Sequence, residues 1–197
     1  MKMRIIGTLI TILGLSVSWG QTDLCRPSVF KDGSIWKGSD VIEMFTLTNA
    51  SGMSIKVINY AASLTDVSVP DRQGQFEHVV LGFDSLESYL ERHPKFGATI
   101  GRFANRIRNA EFSLNGQTYH LEKNNKEHSI HGGTNGFNRQ VFKTDTFYTV
   151  KDTAIVVFKY KSAHLEGGFP GNIELSIAYK LTNHNEIVLE YTATTDK

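Results

Sequence analysis

Between residues 173 and 180 the chain alternates: Ile173, Leu175, Ile177 and Tyr179 share one parity, and Glu174, Ser176 and Lys180 share the other. Successive side chains of a strand point to opposite faces, so a period of two sets an apolar face against a polar one. Met53, Ile55 and Val57 alternate in the same way with Ser54 and Lys56, and Val156, Phe158 and Tyr160 repeat the pattern. Half-apolar strands of this kind need other strands to cover their apolar faces, which points to antiparallel sheets packed on one another.

The stretches between these runs are turn-like. "IEMFTLTN" leads into Ala50, Ser51 and Gly52, and "TNHN" leads into "EIVLEYTA". In "EFSLNGQTYHL", Asn115-Gly116 separates two alternating runs, the strongest short-range signal for a hairpin. Only "SLESYLERH" carries a helical pattern, and Pro94 stops it. No repeat, low-complexity tract or linker interrupts the chain. The expectation is an all-β, antiparallel β-sandwich, with residues 21–197 forming the N-terminal part of a single domain. Its last strand, residues 186–195, runs almost to Lys197. A many-stranded sandwich needs more chain to close its sheets, so the architecture is expected to be incomplete.

The first twenty residues differ from the rest. Lys2 and Arg4 precede an apolar run over residues 5–17, and the small residues Ser18 and Gly20 come just before Gln21. This is the pattern of a secretory signal peptide over residues 1–20, and the run is too short to span a bilayer comfortably. The expected product is exported, periplasmic or secreted, and free of the membrane after cleavage. Cys25 is the only cysteine, so no intrachain disulfide can form. Leu24 stands where lipidation of Cys25 would call for a small residue. Asn49-Ala50-Ser51 is formally a glycosylation sequon but reads better as a strand-to-strand turn. A net charge of +1, with no long run of either sign, gives no footprint for nucleic acid.

Three stretches could carry chemistry. "SIHGGTNGF" sets His131 beside Gly132, Gly133 and Gly136. Glycines serve where backbone turns tightly or approaches something closely, so a neutral imidazole in a ligand cleft is favoured over a loop-capping histidine. His120, His128 and His131 do not have a zinc-type spacing, and no metal is expected. "GATIGRFANRIRN" spaces Arg102, Arg106 and Arg108 evenly, so on a strand they would share one face. Asn105 and Arg106 together offer donors for a ligand's hydroxyl oxygens. "LEGGFPGN" reads as a loop, with Glu166 more readily an exposed acid than a catalytic one.

Taken in order, "LTNASGMSIKVINYAASLTDVSVPDRQGQFEHVVLGFDSLESYL", "FGATIGRFANRI", the "FSLNGQTYHL" hairpin, "SIHGGTNGF" and "EGGFPGNIELSIAYKLTNHNEIVLEY" resemble the aldose 1-epimerase family, whose members are also called galactose mutarotases. The resemblance runs from about Phe45 to the last residue. It implies a galactose mutarotase-like supersandwich that interconverts the α and β anomers of aldohexoses such as galactose and glucose, without cofactor. By position, Asn105 and Arg106 look like the family's sugar-binding pair and His131 like its first active-site histidine. The general acid, a second histidine, and the general base, a glutamate, would lie beyond Lys197, so this chain alone is expected to be inactive. Asn183-His184 imitates the acid's motif but falls where the family has a hairpin turn, and His184 is read as a turn residue. Ala61 replaces a usual glycine and Phe142 a common tryptophan, both read as mild packing changes. A non-catalytic carbohydrate-binding sandwich is the alternative.

Overall fold

The computed structural model describes residues 26–91 and 94–197. The signal-peptide reading and Cys25 lie outside them. Five strands follow one another and pair in chain order: β1 (Ser28–Lys37), β2 (Asp40–Thr48), β3 (Ser54–Ile58), β4 (Ser63–Pro70) and β5 (Phe76–His78). A second antiparallel sheet holds β10 (Lys143–Val150), β11 (Thr153–Ser162), β12 (Ile173–Thr182) and β13 (Ile187–Thr195), also in chain order. Between them lie the helix α1 (Leu86–Leu90) and two small ladders. One pairs β6 (Arg106–Ile107) with β9 (Ser129–Ile130), and the other pairs β7 (Glu111–Leu114) with β8 (Gln117–His120).

The apolar parity read from the sequence is the parity that is buried. Phe45, Leu47, Ile55 and Val57 from the first sheet pack with Val156, Phe158, Ile177, Tyr179 and Leu181 from the second, and Phe137 and Phe142 join them. Each such side chain contributes about 1.5–3 kcal/mol on full burial, so this shared face is what holds the two sheets together. The Tyr179 hydroxyl, inside the core, donates to the Ala62 carbonyl at 2.7 Å and so crosses from one sheet to the other.

Two turns close one end of the sandwich. The buried Asn49 side chain donates to the Thr182 carbonyl at 2.9 Å and to Asn185 Oδ1 at 2.7 Å. Asn183 Oδ1 accepts the Ala50 amide at 2.9 Å. The sequon is therefore an interlocked turn with its amide inside. His184 is exposed in the facing turn, its Nε2 lying 3.8 Å from Asp152, as its reading as a turn residue requires.

At the Asn115-Gly116 hairpin both residues have positive φ, 52° and 79°, as a tight two-residue turn demands. Ser85 caps α1 by accepting the Ser88 amide, and the helix is only five residues long, shorter than the motif suggested. Ala61 departs from expectation: its φ of 57° is left-handed, so replacing glycine there bears on the backbone rather than on packing. Phe142 is buried in the core, where a change of ring is a packing change. The edge strand β13 has no second partner among the described residues. Leu189 and Tyr191 lie opposite the core residues Tyr179 and Ile177, yet are 39% and 53% exposed.

Candidate functional site

The ladder of β6 with β9 is only two residue pairs long, Arg106 with Ile130 and Ile107 with Ser129. A ladder this short needs support, and asparagine side chains supply it. Asn124 donates from Nδ2 to the Ile130 carbonyl at 2.9 Å and accepts the Ile130 amide on Oδ1 at 2.7 Å, standing in for a neighbouring strand. Arg106 is exposed, and two amides steer it. Its Nε donates to Asn125 Oδ1 at 3.2 Å and its Nη1 to Asn105 Oδ1 at 3.3 Å, leaving part of the donor fork open.

Asn105 and His131 flank this ladder, and both have left-handed backbones, with φ of 66° and 56°. That conformation is uncommon outside glycine and is adopted more readily by asparagine and histidine than by most residues, so both can sit at this tight reciprocal turn. Two hydrogen bonds hold the pair. The His131 amide donates to the Asn105 carbonyl at 3.0 Å, and the Asn105 amide donates to His131 Nδ1 at 3.1 Å. Burial lowers the His131 pKa below 6.5, and the positive charges of Lys95 and Arg106 lower it further. The ring is therefore neutral at pH 7. With Nδ1 accepting, its proton sits on Nε2, which makes Nε2 a donor.

The glycines after His131 have a physical reason. A Cβ at Gly132 would lie 1.8 Å from the Gly101 carbonyl oxygen, and Gly132 has φ of 84°. The Phe137 amide donates to the same carbonyl at 3.2 Å. The glycine-rich loop thus lies directly on the 101–102 backbone and carries the imidazole to its place beside Asn105.

Asn105, Arg106 and His131, singled out in the sequence, are brought together. Several other readings are corrected. The three arginines do not share a strand face, because left-handed Asn105 breaks the alternation between Arg102 and Arg106, and the strand ends at Ile107 before Arg108. Arg102 turns inward and gives its guanidinium to Ser162, Ala163, Pro170 and Gly171, while Arg108 is exposed in a 3-10 turn over Arg108–Ala110. Glu166 is not an exposed loop acid: it accepts hydrogen bonds from Tyr160 at 2.5 Å and from Ser162, and is half-buried. The three histidines have separate engagements, His120 with Glu111 and His128 with the Asn109 amide. Asn124 and Asn125 were missed. Their adjacency just upstream of His131 was the available signal, since paired asparagines in a loop commonly substitute for backbone partners.

A cavity of about 620 Å³ adjoins Arg106, walled by Phe103, Phe112, Leu114, Phe169 and Ile173. His131 does not line it.

Fold and site define a β-sandwich whose amide, guanidinium and imidazole groups suit a hydroxyl-rich ligand. The profile of the family described as aldose 1-epimerase matches residues 43–197. Galactose mutarotase from Mus musculus is 36% identical over 161 residues, covering 82% of this chain and 45% of that protein. Aldose 1-epimerase from Escherichia coli is 31% identical over 171 residues, covering 87% of this chain and 46% of its own. The crystal structure of galactose 1-epimerase from Lactobacillus acidophilus matches with a TM-score of 0.76 at 28% identity, covering 88% of this chain and 49% of that one. The chain belongs to the aldose 1-epimerase family, an isomerase family, and spans about half the length of these relatives.

Proposed function

We propose that this chain binds an aldohexose such as galactose or glucose through Asn105, Arg106 and His131, in the service of interconverting its α and β anomers. The observation that carries the reading is the convergence of the three residues on the β6–β9 ladder, with Arg106 held by Asn105 and His131 held by the same residue. The relatives' names, galactose mutarotase and aldose 1-epimerase, supply the substrate class and the reaction.

Anomer exchange opens the hemiacetal, rotates C1–C2 and recloses the ring. A proton must reach the ring oxygen while another leaves the C1 hydroxyl. Arg106 and the Nε2–H of neutral His131 are donors, suited to holding sugar oxygens and to stabilising negative charge that develops on one of them. Asn105 supplies both of them with their orientation. Fixed hydrogen bonds to the hydroxyls keep the open chain poised to reclose. No cofactor enters this scheme.

The groups whose charge bears on His131, Lys95 and Arg106, are both cations. That observation favours a second reading, a carbohydrate-binding sandwich without catalysis, since among the described residues only cations bear on the charge of the imidazole. One experiment separates the two. The chain is titrated with galactose by NMR, and the optical rotation of freshly dissolved α-galactose is followed in its presence. Binding with faster mutarotation supports the enzyme; binding without it supports the binding module. Absence of saturable binding, or binding unchanged by both His131→Ala and Arg106→Ala, removes the site altogether.

Export rests on Lys2, Arg4 and the apolar run over residues 5–17, with cleavage before Gln21. N-terminal sequencing of the protein recovered outside the cytoplasm tests it.

A further inference from the structure

Arg102 lines the same cavity as Arg106, yet its guanidinium is taken up by other parts of the chain. Nε donates to Ser162 Oγ at 2.9 Å. Nη1 donates to the carbonyls of Pro170 at 2.8 Å and Gly171 at 2.9 Å, and Nη2 to those of Ser162 at 3.1 Å and Ala163 at 2.8 Å. The acceptors come from the end of β11 and from the loop that precedes β12, so one planar fork joins two separated stretches of backbone. Ser162 in turn donates to Glu166, and Glu166 also accepts the Tyr160 hydroxyl at 2.5 Å. A cation and a carboxylate thus share a hydroxyl, and the chain Arg102–Ser162–Glu166–Tyr160 ends in the aromatic cluster of Phe137 and Phe142.

The backbone of the same segment touches the site. Gly101 has its carbonyl against Gly132 and accepts the Phe137 amide, so it carries the glycine-rich loop. Three residues beyond Arg102, the Asn105 amide sets the His131 ring. The 101–106 segment is therefore fixed by a side chain on one side and used as a template for the imidazole on the other.

We propose that Arg102 is a positioning residue: through the backbone it anchors, it sets the Asn105 amide against His131 and so fixes both the tautomer of the imidazole and its place at the sugar. The proposal deepens the sugar-binding reading and rests on it for its consequence, though not for its geometry. Lysine cannot replace the guanidinium, because an ammonium on a flexible stem cannot meet carbonyls from both stretches at once.

The test uses the full chain with Arg102→Lys, which keeps the charge. The ring nitrogens of His131 are observed by ¹⁵N NMR without sugar, with exposed His184 as an internal control, and galactose affinity is then measured. The expected result is a cooperatively melting variant in which the Nε2–H tautomer of His131 loses population, His184 is unmoved, and galactose binds about tenfold more weakly or worse. A folded variant with unchanged His131 nitrogens overturns the proposal, whatever happens to its melting temperature. If Arg102→Lys does not melt cooperatively, Ser162→Ala removes the Nε acceptor and is judged by the same nitrogens. A shift at His131 in a chain that binds no galactose even as wild type supports the positioning role and refutes the sugar reading, so the two fail separately.

Discussion

The amide of Asn105 donates to Nδ1 of His131 at 3.1 Å while the amide of His131 donates to the carbonyl of Asn105 at 3.0 Å. The exchange is reciprocal and lies at the edge of a two-pair ladder, so the imidazole is oriented by backbone rather than by another side chain. No ordinary side-chain substitution deletes a backbone donor, which makes the orientation of His131 robust to change at position 105 and sensitive to change in backbone conformation.

His131 should titrate below 6.5, because burial first, and then Lys95 and Arg106, disfavour its charged form. Replacing Arg106 with glutamine removes one cation and leaves burial in place, so the titration midpoint should rise without passing the ordinary value. Because the folded value is depressed, the unfolded chain takes up the proton first on acidification. His131's contribution to stability is complete above pH 6.5 and is lost as pH falls through 6.5 and then through the folded value. Melting of wild type against His131→Gln across this range checks the sign.

Asn105→Gly should keep the left-handed turn and the bond to Nδ1 while removing the side-chain acceptor of Arg106. The His131 tautomer should persist and sugar affinity should fall. Asn105→Ala removes the same acceptor and also forces a Cβ residue into the left-handed region, costing about 1 kcal/mol more in stability. Denaturant titration of the two variants isolates the backbone contribution.

Gly132→Ala should be severe. The added methyl would fall 1.8 Å from the Gly101 carbonyl oxygen, on a backbone with φ of 84°. Neither the carbonyl nor the loop can yield without disturbing the Phe137 amide bond. A loss of about 2–4 kcal/mol is expected from overlap and backbone strain together, seen as a lower denaturation midpoint at unchanged slope.

Asn49→Ala should cost about 1–2 kcal/mol, because it removes a buried amide that bridges the two turns, leaving the Thr182 carbonyl only the Asn185 amide and Asn185 Oδ1 only the Ser51 hydroxyl. Sugar binding should not change, since the turn it closes contains none of the three site residues. Thermal melting beside a galactose titration checks both halves.

The strands of the core were legible because their signal is local. Ile173, Leu175, Ile177 and Tyr179 declare a face by parity alone, and Asn115-Gly116 declares its turn by backbone preference. The strand β1, Ser28–Lys37, was not legible. A bulge between Lys31 and Gly33 breaks its register, and much of the strand is exposed. His131 stood out through its glycines, and Asn105 with Arg106 through their chemistry, although nothing in the spacing disclosed the reciprocal bonds. Arg102 was misread as one of a basic trio because its acceptors are a serine hydroxyl and four backbone carbonyls 60 to 69 residues away, and a carbonyl looks the same in every residue. Glu166 was misread for a related reason, since its half-burial depends on Tyr160 and Ser162 folding over it.

The strand β13 decides how this protein behaves at the bench. Among the described residues its outer rim is unpaired, and beside exposed Leu189 and Tyr191 such a rim can template further strands. Colloidal behaviour will therefore track concentration and salt more closely than heat, and an apparent melting point taken from a concentrated sample will report clumping before it reports unfolding. A lysine at position 189 should extend the concentrations over which the solution stays clear, while leaving the His131 imidazole and Arg106 guanidinium untouched.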